Sequence, residues 1–195
     1  MAATRLAGAQ KRARREGRCL AFLDETGHTF RARVGTTWAP VGERPVLRRL
    51  SKRREVSSVV LITAPLDGAA ARLYARHFRG SITWREVLVA LPYFRRRVGR
   101  PILLVWDHLN AHTAGAVQTF LLVHPDDFLQ AWLPTYAPEL NPDEQGNHWV
   151  KRDMENALPG SIDELHAQAR RSFRRLQRHP ELLRAFFVHA GLNLT

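Results

Sequence analysis

Residues 101–134 read PILLVWDHLNAHTAGAVQTFLLVHPDDFLQAWLP, and this stretch decides the fold class. Its first seven residues form an apolar run that ends in an acid, which is typical of a buried strand. A helix is expected over about residues 113–123, and a further strand over residues 128–134. A strand, a helix and another strand in succession indicate an α/β sheet.

The residues before this stretch predict further strands. Residues 18–24, RCLAFLD, are a second apolar run that stops at an acid, and residues 56–65, VSSVVLITAP, are β-branched enough for a central strand. Residues 29–45 alternate and contain glycines, which favours a hairpin of exposed strands, and residues 71–78 favour an edge strand. The sequence therefore predicts an α/β fold with a mixed sheet.

Helices are predicted before and after the same stretch. Ser81 or Thr83 can cap a helix in which Trp84, Val87, Leu88 and Leu91 recur at helical spacing. Three helices follow the last strand, over residues 141–158, 161–179 and 180–190. We divide the chain into a basic arm at residues 1–18 and one domain at residues 19–195. The arm is either a frayed, solvated helix or a linker remnant that contacts phosphate.

The charge of the chain predicts a polyanionic partner. Thirty Lys and Arg oppose eighteen Asp and Glu, which gives a net charge of +12. Such a field attracts nucleic acid first and anionic membrane second. Of the thirty basic residues 27 are Arg, whose planar fork suits phosphate, although genomes rich in G and C also favour Arg codons.

The single cysteine and the hydropathy pattern narrow the class of protein. Cys19 has no partner for an internal disulfide, and a zinc site built on cysteines is excluded. No stretch approaches 18 apolar residues, and the basic N-terminus lacks the apolar core of a signal peptide. We therefore expect a cytoplasmic protein of a bacterial type without a membrane partner.

Three carboxylates are candidates for one site. Asp24 and Asp107 each end a predicted strand, and ligands of open α/β sheets bind beyond strand ends. The third lies in LPTYAPELNPDEQGNHW, residues 133–149, where Asn141 can cap a helix that starts at Pro142 and carries Glu144 at its third position. Alternatively, Glu144 completes a capping box with Asn141. Together the three acids predict a site for divalent metal.

The blocks around these acids resemble a known family. FLDETG, LLVWDHLNAH and LPTYAPELNPDEQ, with Lys151 seven residues after Glu144, are similar to the catalytic domain of DDE transposases of the mariner superfamily, in its bacterial insertion-sequence branch. The resemblance covers about residues 18–158. It implies a ribonuclease H-like fold, a mixed five-stranded sheet with helices on both faces. It also implies two Mg²⁺ ions, replaceable by Mn²⁺, held by Asp24, Asp107 and Glu144 for DNA hydrolysis and strand transfer.

The chain departs from the family pattern at two places. His108 stands where the family commonly has Asn. His108 and His112, four residues apart, have the spacing of a transition-metal pair on a helix, but histidines at this spacing more often cap a helix, contact phosphate or pack. Asn147 stands where the family usually has Trp, three residues after the catalytic Glu. The packing of the helix near Glu144 is therefore expected to differ from that of the family. Residues expected to support the acids are Glu25, Asn110, His112 and Asn141, whereas Glu139 and Asp143 are interpreted as supporting or structural acids.

Several basic residues are expected to contact DNA phosphates. Lys151 and Arg152 are favoured because they lie about two helical turns after Glu144. The other candidates are Arg14, Arg15, Arg95, Arg96 and Arg97, while residues 170–178 favour a solvated helix face.

The expected partners are insertion-sequence ends and target DNA, a second copy of the chain in a homodimer, and a separate helix-turn-helix part, since only eighteen residues precede the first strand. Two alternatives to an active transposase domain stay open, namely an inactive DNA-binding remnant and a ribonuclease H-like nuclease without transposition. Metal binding separates the remnant from an enzyme.

Overall fold

The computed structural model describes residues 2–30, 36, 38–46, 55–64, 70–134 and 137–192. The described chain begins with helix α1 (Ala2–Arg15) and three strands, β1 (Cys19–Thr29), β2 (Glu55–Ala64) and β3 (Arg72–Arg79). Helix α2 (Trp84–Val98), strand β4 (Ile102–Trp106), helices α3 (Asn110–Thr113) and α4 (Gly115–Val123), and strand β5 (Phe128–Trp132) follow. A short 3-10 turn (Pro138–Leu140) leads into α5 (Pro142–Asp153), α6 (Ile162–Leu176) and α7 (Pro180–His189).

The five strands form one mixed sheet in the order β3-β2-β1-β4-β5. Strand β2 pairs antiparallel with both β1 and β3, whereas β4 pairs parallel with both β1 and β5. Leu20 and Phe22 of β1 face a core shared with α1, α5, α6 and α7, and Ala21 and Leu23 face a second core shared with α2 and α4. The predicted mixed α/β sheet with helices on both faces is confirmed.

Strand β1 continues five residues past the acid at which the sequence predicted its end. Residues 25–29 alternate between the two faces and pair with β2, from Glu25 opposite Val59 to Thr29 opposite Glu55. Asp24 therefore lies within a strand rather than at its tip. The hairpin predicted over residues 29–45 is wrong in its described part, because residues 38–46 contain no strand and only a turn closed by the Glu43 amide and the Pro40 carbonyl (3.0 Å). Residues 31–35 and 37 lie outside the described residues.

The helices follow the sequence signals at their starts more closely than at their ends. Thr83 caps α2 in a capping box with Glu86, whose carboxylate accepts the Thr83 backbone amide (2.8 Å). The helix expected over residues 113–123 is interrupted at Ala114, which has extended ψ. Helix α5 ends at Asp153 rather than near residue 158, and the turn that follows contains Asn156 with a positive φ of 60°.

The basic arm packs onto the domain. Ala9 and Ala13 of α1 are buried in the core that also contains Leu20 and Leu103. This part of α1 is therefore a packed helix rather than a frayed one. No helix in the described part of the chain is long and apolar enough to cross a membrane.

Candidate active site

Strand β1 directs two neighbouring acids to opposite faces of the sheet. Because side chains alternate along a strand, Asp24 shares the face of Leu20 and Phe22 and meets α5, whereas Glu25 faces α3. Asp24 is only 8% exposed. Its Oδ1 accepts the Glu25 backbone amide (2.8 Å), and its Oδ2 accepts the side-chain amides of Asn147 (3.1 Å) and Asn141 (3.3 Å).

The environment of Asp24 disfavours its charged form. Burial is the main cause, and the negative charges of Glu25, Glu144 and Asp107 add to it, so that the pKa of Asp24 is raised from 3.8 to about 7. The hydrogen bond from the Glu25 amide offsets only part of this effect. Carboxylates this close repel one another, and such repulsion is relieved when a cation binds between them.

The start of α5 places Glu144 beside these acids. Asn141 caps the helix by accepting the Asp143 backbone amide on its side chain (3.1 Å), and Pro142 fills the first helical position. The alternative of a capping box does not hold, because the Asn141 amide donates to the Pro138 carbonyl (2.9 Å). Glu144 is exposed and lines a cleft of about 460 Å³ together with Asp107 and Asn141.

Asp107 follows β4 directly and is fixed by a buried histidine. His112 is completely buried, with its Nδ1 2.9 Å from the Asp107 Oδ1 and its Nε2 2.7 Å from the Glu25 Oε1. Its ring stacks on Trp106 with centroids 4.4 Å apart. Burial lowers the pKa of His112, but the bonds to Asp107 and Glu25 outweigh burial and raise it to about 10. His112 is therefore an imidazolium that bridges the two carboxylates, and its bond to Asp107 helps to lower the pKa of that acid.

His108 and His112 do not form a transition-metal pair. Both nitrogens of His112 are occupied by carboxylates, and His108 is exposed and stacks on Trp132 instead. Asn110 is exposed and lines a second cleft with Glu25, and Glu139 lies exposed in the 3-10 turn. Of the predicted supporting residues, Glu25, His112 and Asn141 contact a candidate catalytic acid through hydrogen bonds.

The sequence interpretation missed the role of Asn147 and described Asp143 only as a supporting or structural acid. Asn147, regarded as a departure that weakened the helix packing, is buried and donates to Asp24. Its spacing of three from Glu144, on the same helix, was the available signal. Asp143 is completely buried, and neither of its oxygens has a well-aligned partner among the described residues. Burial, with the charges of Asp24, Glu25 and Glu144, raises the pKa of Asp143 well above its usual value.

The donor set suits a hard divalent cation that is held by few protein ligands. Among the described residues, no three His, Cys, Asp or Glu side chains form a ready cage for a single ion. Mg²⁺ is usually bound through one or two carboxylates with water and substrate phosphate, so it does not require such a cage. The raised pKa of Asp24, the partly exposed carboxylate of Asp107 and the exposed carboxylate of Glu144 fit this mode of binding.

The predicted DNA-binding residues fall into two groups. Lys151 and Arg152 are exposed on α5, which also carries Glu144. Arg14 and Arg15 end α1, and Arg95, Arg96 and Arg97 end α2, both at the end of the sheet where β1 and β4 begin. Asp107 follows the opposite end of β4. The arginines at the ends of α1 and α2 therefore lie away from the cleft that contains Asp107. Arg95 is also paired with Asp127 (2.6 Å).

Gly146 controls how closely α5 approaches the sheet. A Cβ at this position would lie 3.3 Å from the Ile62 Cδ1 and within 4 Å of Leu176 and Leu73. We expect Gly146→Val to destabilise the fold by about 1–3 kcal/mol through overpacking and to weaken metal binding, because α5 also carries Glu144. Gly146→Ala is the control and should cost much less, since Ile62 can shift and alanine favours helix. Thermal unfolding and Mn²⁺ titration measure both effects, and equal effects of the two substitutions would contradict this role.

The sequence of residues 19–166 matches the family described as DDE superfamily endonuclease. The chain belongs to this family. The match includes all three candidate acids and the strands and helices that position them. A search of curated protein sequences found no match.

Solved structures support the fold of this DDE superfamily endonuclease. It is similar to the Mos1 transposase paired-end complex with left transposon end, with a TM-score of 0.56 at 13% identity, and to the mariner Mos1 paired-end complex with Mg, with a TM-score of 0.54 at 16% identity. The first match covers 98% of this chain and 62% of the Mos1 chain, and the second covers 97% and 61%. A simian T-cell lymphotropic virus intasome in complex with PP2A regulatory subunit B56 gamma matches with a TM-score of 0.51 at 15% identity, over 77% of this chain and 46% of that chain. These likenesses confirm the ribonuclease H-like fold.

Proposed function

We propose that this chain is the catalytic domain of a transposase of the mariner superfamily, in its bacterial insertion-sequence branch. It catalyses metal-dependent hydrolysis of DNA phosphodiesters and strand transfer at the ends of the element. One observation carries the proposal, namely that Asp107 and Glu144 line one cleft beside Asp24, whose pKa is raised to about 7 by burial first and then by the charges of Glu25, Glu144 and Asp107. Membership of the DDE superfamily endonuclease family supports it.

The proposed cofactor is a pair of Mg²⁺ ions, which Mn²⁺ can replace, held by Asp24, Asp107 and Glu144. Mos1 paired-end complexes with Mg and with Mn support this choice. Two bound ions would supply activation of an attacking oxygen and stabilisation of the leaving oxygen in an in-line displacement. Asp24 must lose its proton to act as a ligand, and the amides of Asn141 and Asn147 hold its Oδ2 in place. His112 fixes the orientation of Asp107 through the bond between its Nδ1 and the Asp107 Oδ1.

The proposed substrate and partners follow from the charge and the site. Lys151 and Arg152 lie exposed on the helix of Glu144 and contact the phosphates of insertion-sequence ends and target DNA. Arg14, Arg15, Arg96 and Arg97 reach phosphates only on DNA that extends beyond the cleft. A homodimer holds two ends together, a separate helix-turn-helix part reads their sequence, and the complex acts on the nucleoid in a bacterial cytoplasm.

The deciding experiment is calorimetric titration of Mn²⁺ beside nicking of supercoiled DNA. We expect the wild type to bind Mn²⁺ and nick DNA, Asp107→Asn to lose both, and Asp127→Asn, which alters an acid at the far end of the sheet, to keep both. Affinity should rise from pH 6 to pH 8, because Asp24 must be deprotonated to bind metal.

The same experiment separates the alternatives. If the wild type binds DNA in a salt-sensitive manner but binds no Mn²⁺, the chain is an inactive DNA-binding remnant. Joining of a pre-cut element end to plasmid distinguishes a transposase from a nuclease. Metal-dependent nicking without joining would assign the nuclease.

A further inference from the structure

The second half of α6 carries a group of arginines outside the candidate active site. Residues 165–178 contain five arginines and no acid. The exposed ones that we call the arginine face are Arg170, Arg171, Arg174 and Arg178. Among the described residues, no carboxylate lies within ion-pair distance of these four, whereas Arg175 is paired with Asp153. The arginine face therefore offers its positive charges to an external anion.

The helix that carries the arginine face packs beside α5. A Cβ on Gly146, near the start of α5, would lie 3.8 Å from the Leu176 Cδ2 at the end of α6. At the other end of α5, the Ser172 hydroxyl donates to the Asp153 Oδ2 (2.7 Å). The two helices therefore run antiparallel. At a rise of about 1.5 Å per residue, the arginine face lies at the level of the exposed basic residues near the end of α5.

Together the two helices present two rows of cations on one surface. Lys151 and Arg152 of α5 are exposed, and the arginine face lies on the side of α6 opposite its buried residues. The axes of packed helices lie about 8–10 Å apart. The grooves of B-DNA are about 6 and 12 Å wide. The spacing of the two rows therefore suits the phosphates of the two strands on either side of a duplex groove.

Two largely buried histidines of the sheet respond to cations from both helices. His28 and His77 both bond to one serine hydroxyl of β2, at 3.2 and 2.8 Å. Burial is the main cause that lowers the pKa of each ring to about 4. The charge of Lys151 adds to this effect at His28, and the charges of neighbouring histidines, Arg170 and Arg174 add to it at His77. Cations from both helices thus lie close to one site, and a bound polyanion would relieve their mutual repulsion.

This surface continues away from the catalytic cleft. Glu144 and Arg152 are eight residues apart on α5, which corresponds to about 12 Å along the helix. With α6 about 8–10 Å to the side, the arginine face starts about 15 Å from Glu144. Phosphates of one DNA strand advance about 3.4 Å per base pair, so this distance corresponds to about four or five base pairs of duplex.

We propose that the arginine face, together with Arg152, binds the phosphates of double-stranded DNA about four or five base pairs from the phosphate that reacts. This inference rests on the proposed function, because the same DNA must also reach the cleft. It assigns a partner to residues 170–178, whose sequence pattern favours a solvated helix face. Contacts to phosphates carry no sequence information, so this binding is independent of the base sequence.

The test measures how the affinity for a duplex of about 30 base pairs depends on salt, in a chelating buffer that prevents cleavage. Each phosphate contact contributes about 0.9 to the slope of log affinity against log salt concentration. We expect the double variant Arg171→Gln and Arg174→Gln to reduce this slope by about 1.8 and to weaken binding by on the order of tenfold at about 0.1 M salt. Arg171→Lys with Arg174→Lys, which keeps both charges, should retain most of the slope.

Arg72 and Arg85 provide the charge-matched control. Both are exposed, and both belong to the face of the sheet that α2 covers. The double variant Arg72→Gln and Arg85→Gln should keep the wild-type slope. An equal loss of slope in this control, or an unchanged slope in the arginine-face variant, would overturn the proposal.

A second readout separates this proposal from the proposed function. With Mg²⁺, the arginine-face variant should cleave saturating DNA at the wild-type rate but require more DNA to reach saturation, because the acids are intact. A lower rate at saturation with an unchanged DNA requirement would contradict a binding role. A wild type that shows the expected salt dependence but never cleaves DNA would refute the proposed function alone, since the salt titration needs no metal.

Discussion

An Asp24→Asn variant is expected to unfold at higher denaturant than the wild type at pH 8, although it loses metal-dependent cleavage. The wild-type carboxyl is buried and surrounded by Glu25, Glu144 and Asp107, and its pKa is raised from 3.8 to about 7. The folded protein therefore binds this proton more tightly than the unfolded chain does. Stability is lost as the pH rises from about 4 to about 7 and stays low above that pH.

A neutral amide at position 24 removes this loss. Three pKa units correspond to about 4 kcal/mol, and because the relaxed site also admits water, we expect a gain of about 2–3 kcal/mol at pH 8 without metal. At pH 4 the two proteins should be nearly equally stable. The measurement is guanidinium unfolding at both pH values in a chelating buffer.

Asp107→Asn is the matched control for this prediction. The pKa of Asp107 is lowered, since burial is outweighed by the bonds from His112 and from the Leu109 amide. Its replacement should therefore bring no gain in stability at pH 8, although it also abolishes cleavage. A gain that is the same at pH 4 and pH 8 for Asp24→Asn would show that proton binding at this carboxyl is not the cause.

His112→Ala is expected to lower the free energy of unfolding by about 3–5 kcal/mol at pH 6 and to lower the rate of cleavage. The substitution leaves Glu25, whose side chain is 12% exposed, without its cationic partner, and it removes the ring that stacks on Trp106. His112→Phe keeps the stacking and loses the ion pairs, so the difference between the two variants measures the packing contribution.

The pH dependence of this loss has a definite sign. Because the folded-state pKa of His112 is raised from 6.5 to about 10, its stabilisation is complete below pH 6.5 and is lost as the pH rises through 10. The gap between wild type and His112→Phe should therefore narrow between pH 6 and pH 10, measured by chemical unfolding. A gap independent of pH would contradict a charged His112. His124→Ala, at an exposed site, should change stability by less than about 0.5 kcal/mol.

Local sequence signals predicted most of the sheet and the start of α5, the helix that carries Glu144. Residues 56–65 and 101–107 are apolar over the full length of a strand, and β2 and β4 lie there. Asn141, Pro142 and Glu144 predicted the first turn of α5, because capping chemistry depends only on neighbouring residues. The resemblance to DDE transposases added the fold family and the three acids.

The same local reasoning failed where distant contacts decide the structure. Strand β1 continues beyond Asp24 because β2 offers partners for residues 25–29, which no pattern within those residues reveals. Asn147 was interpreted as a defect, yet its amide reaches Asp24, 123 residues away in the chain. The Arg95–Asp127 pair likewise depends on α2 and the segment before β5 meeting at one end of the sheet.

By itself, the sequence determined the charge of this protein, its α/β class, the position of its central strands and the three carboxylates that are candidates for a metal site. Each of these depends on composition or on residues close together in the chain. Only the tertiary structure decided which side chains surround those carboxylates. His112 bridges Asp107 and Glu25 across 87 residues, Asp143 is buried beside Asp24, and the pKa of Asp24 is raised by burial and by the charges of Glu25, Glu144 and Asp107. Burial and charge repulsion are properties of the folded arrangement, so the protonation of the site follows from the fold.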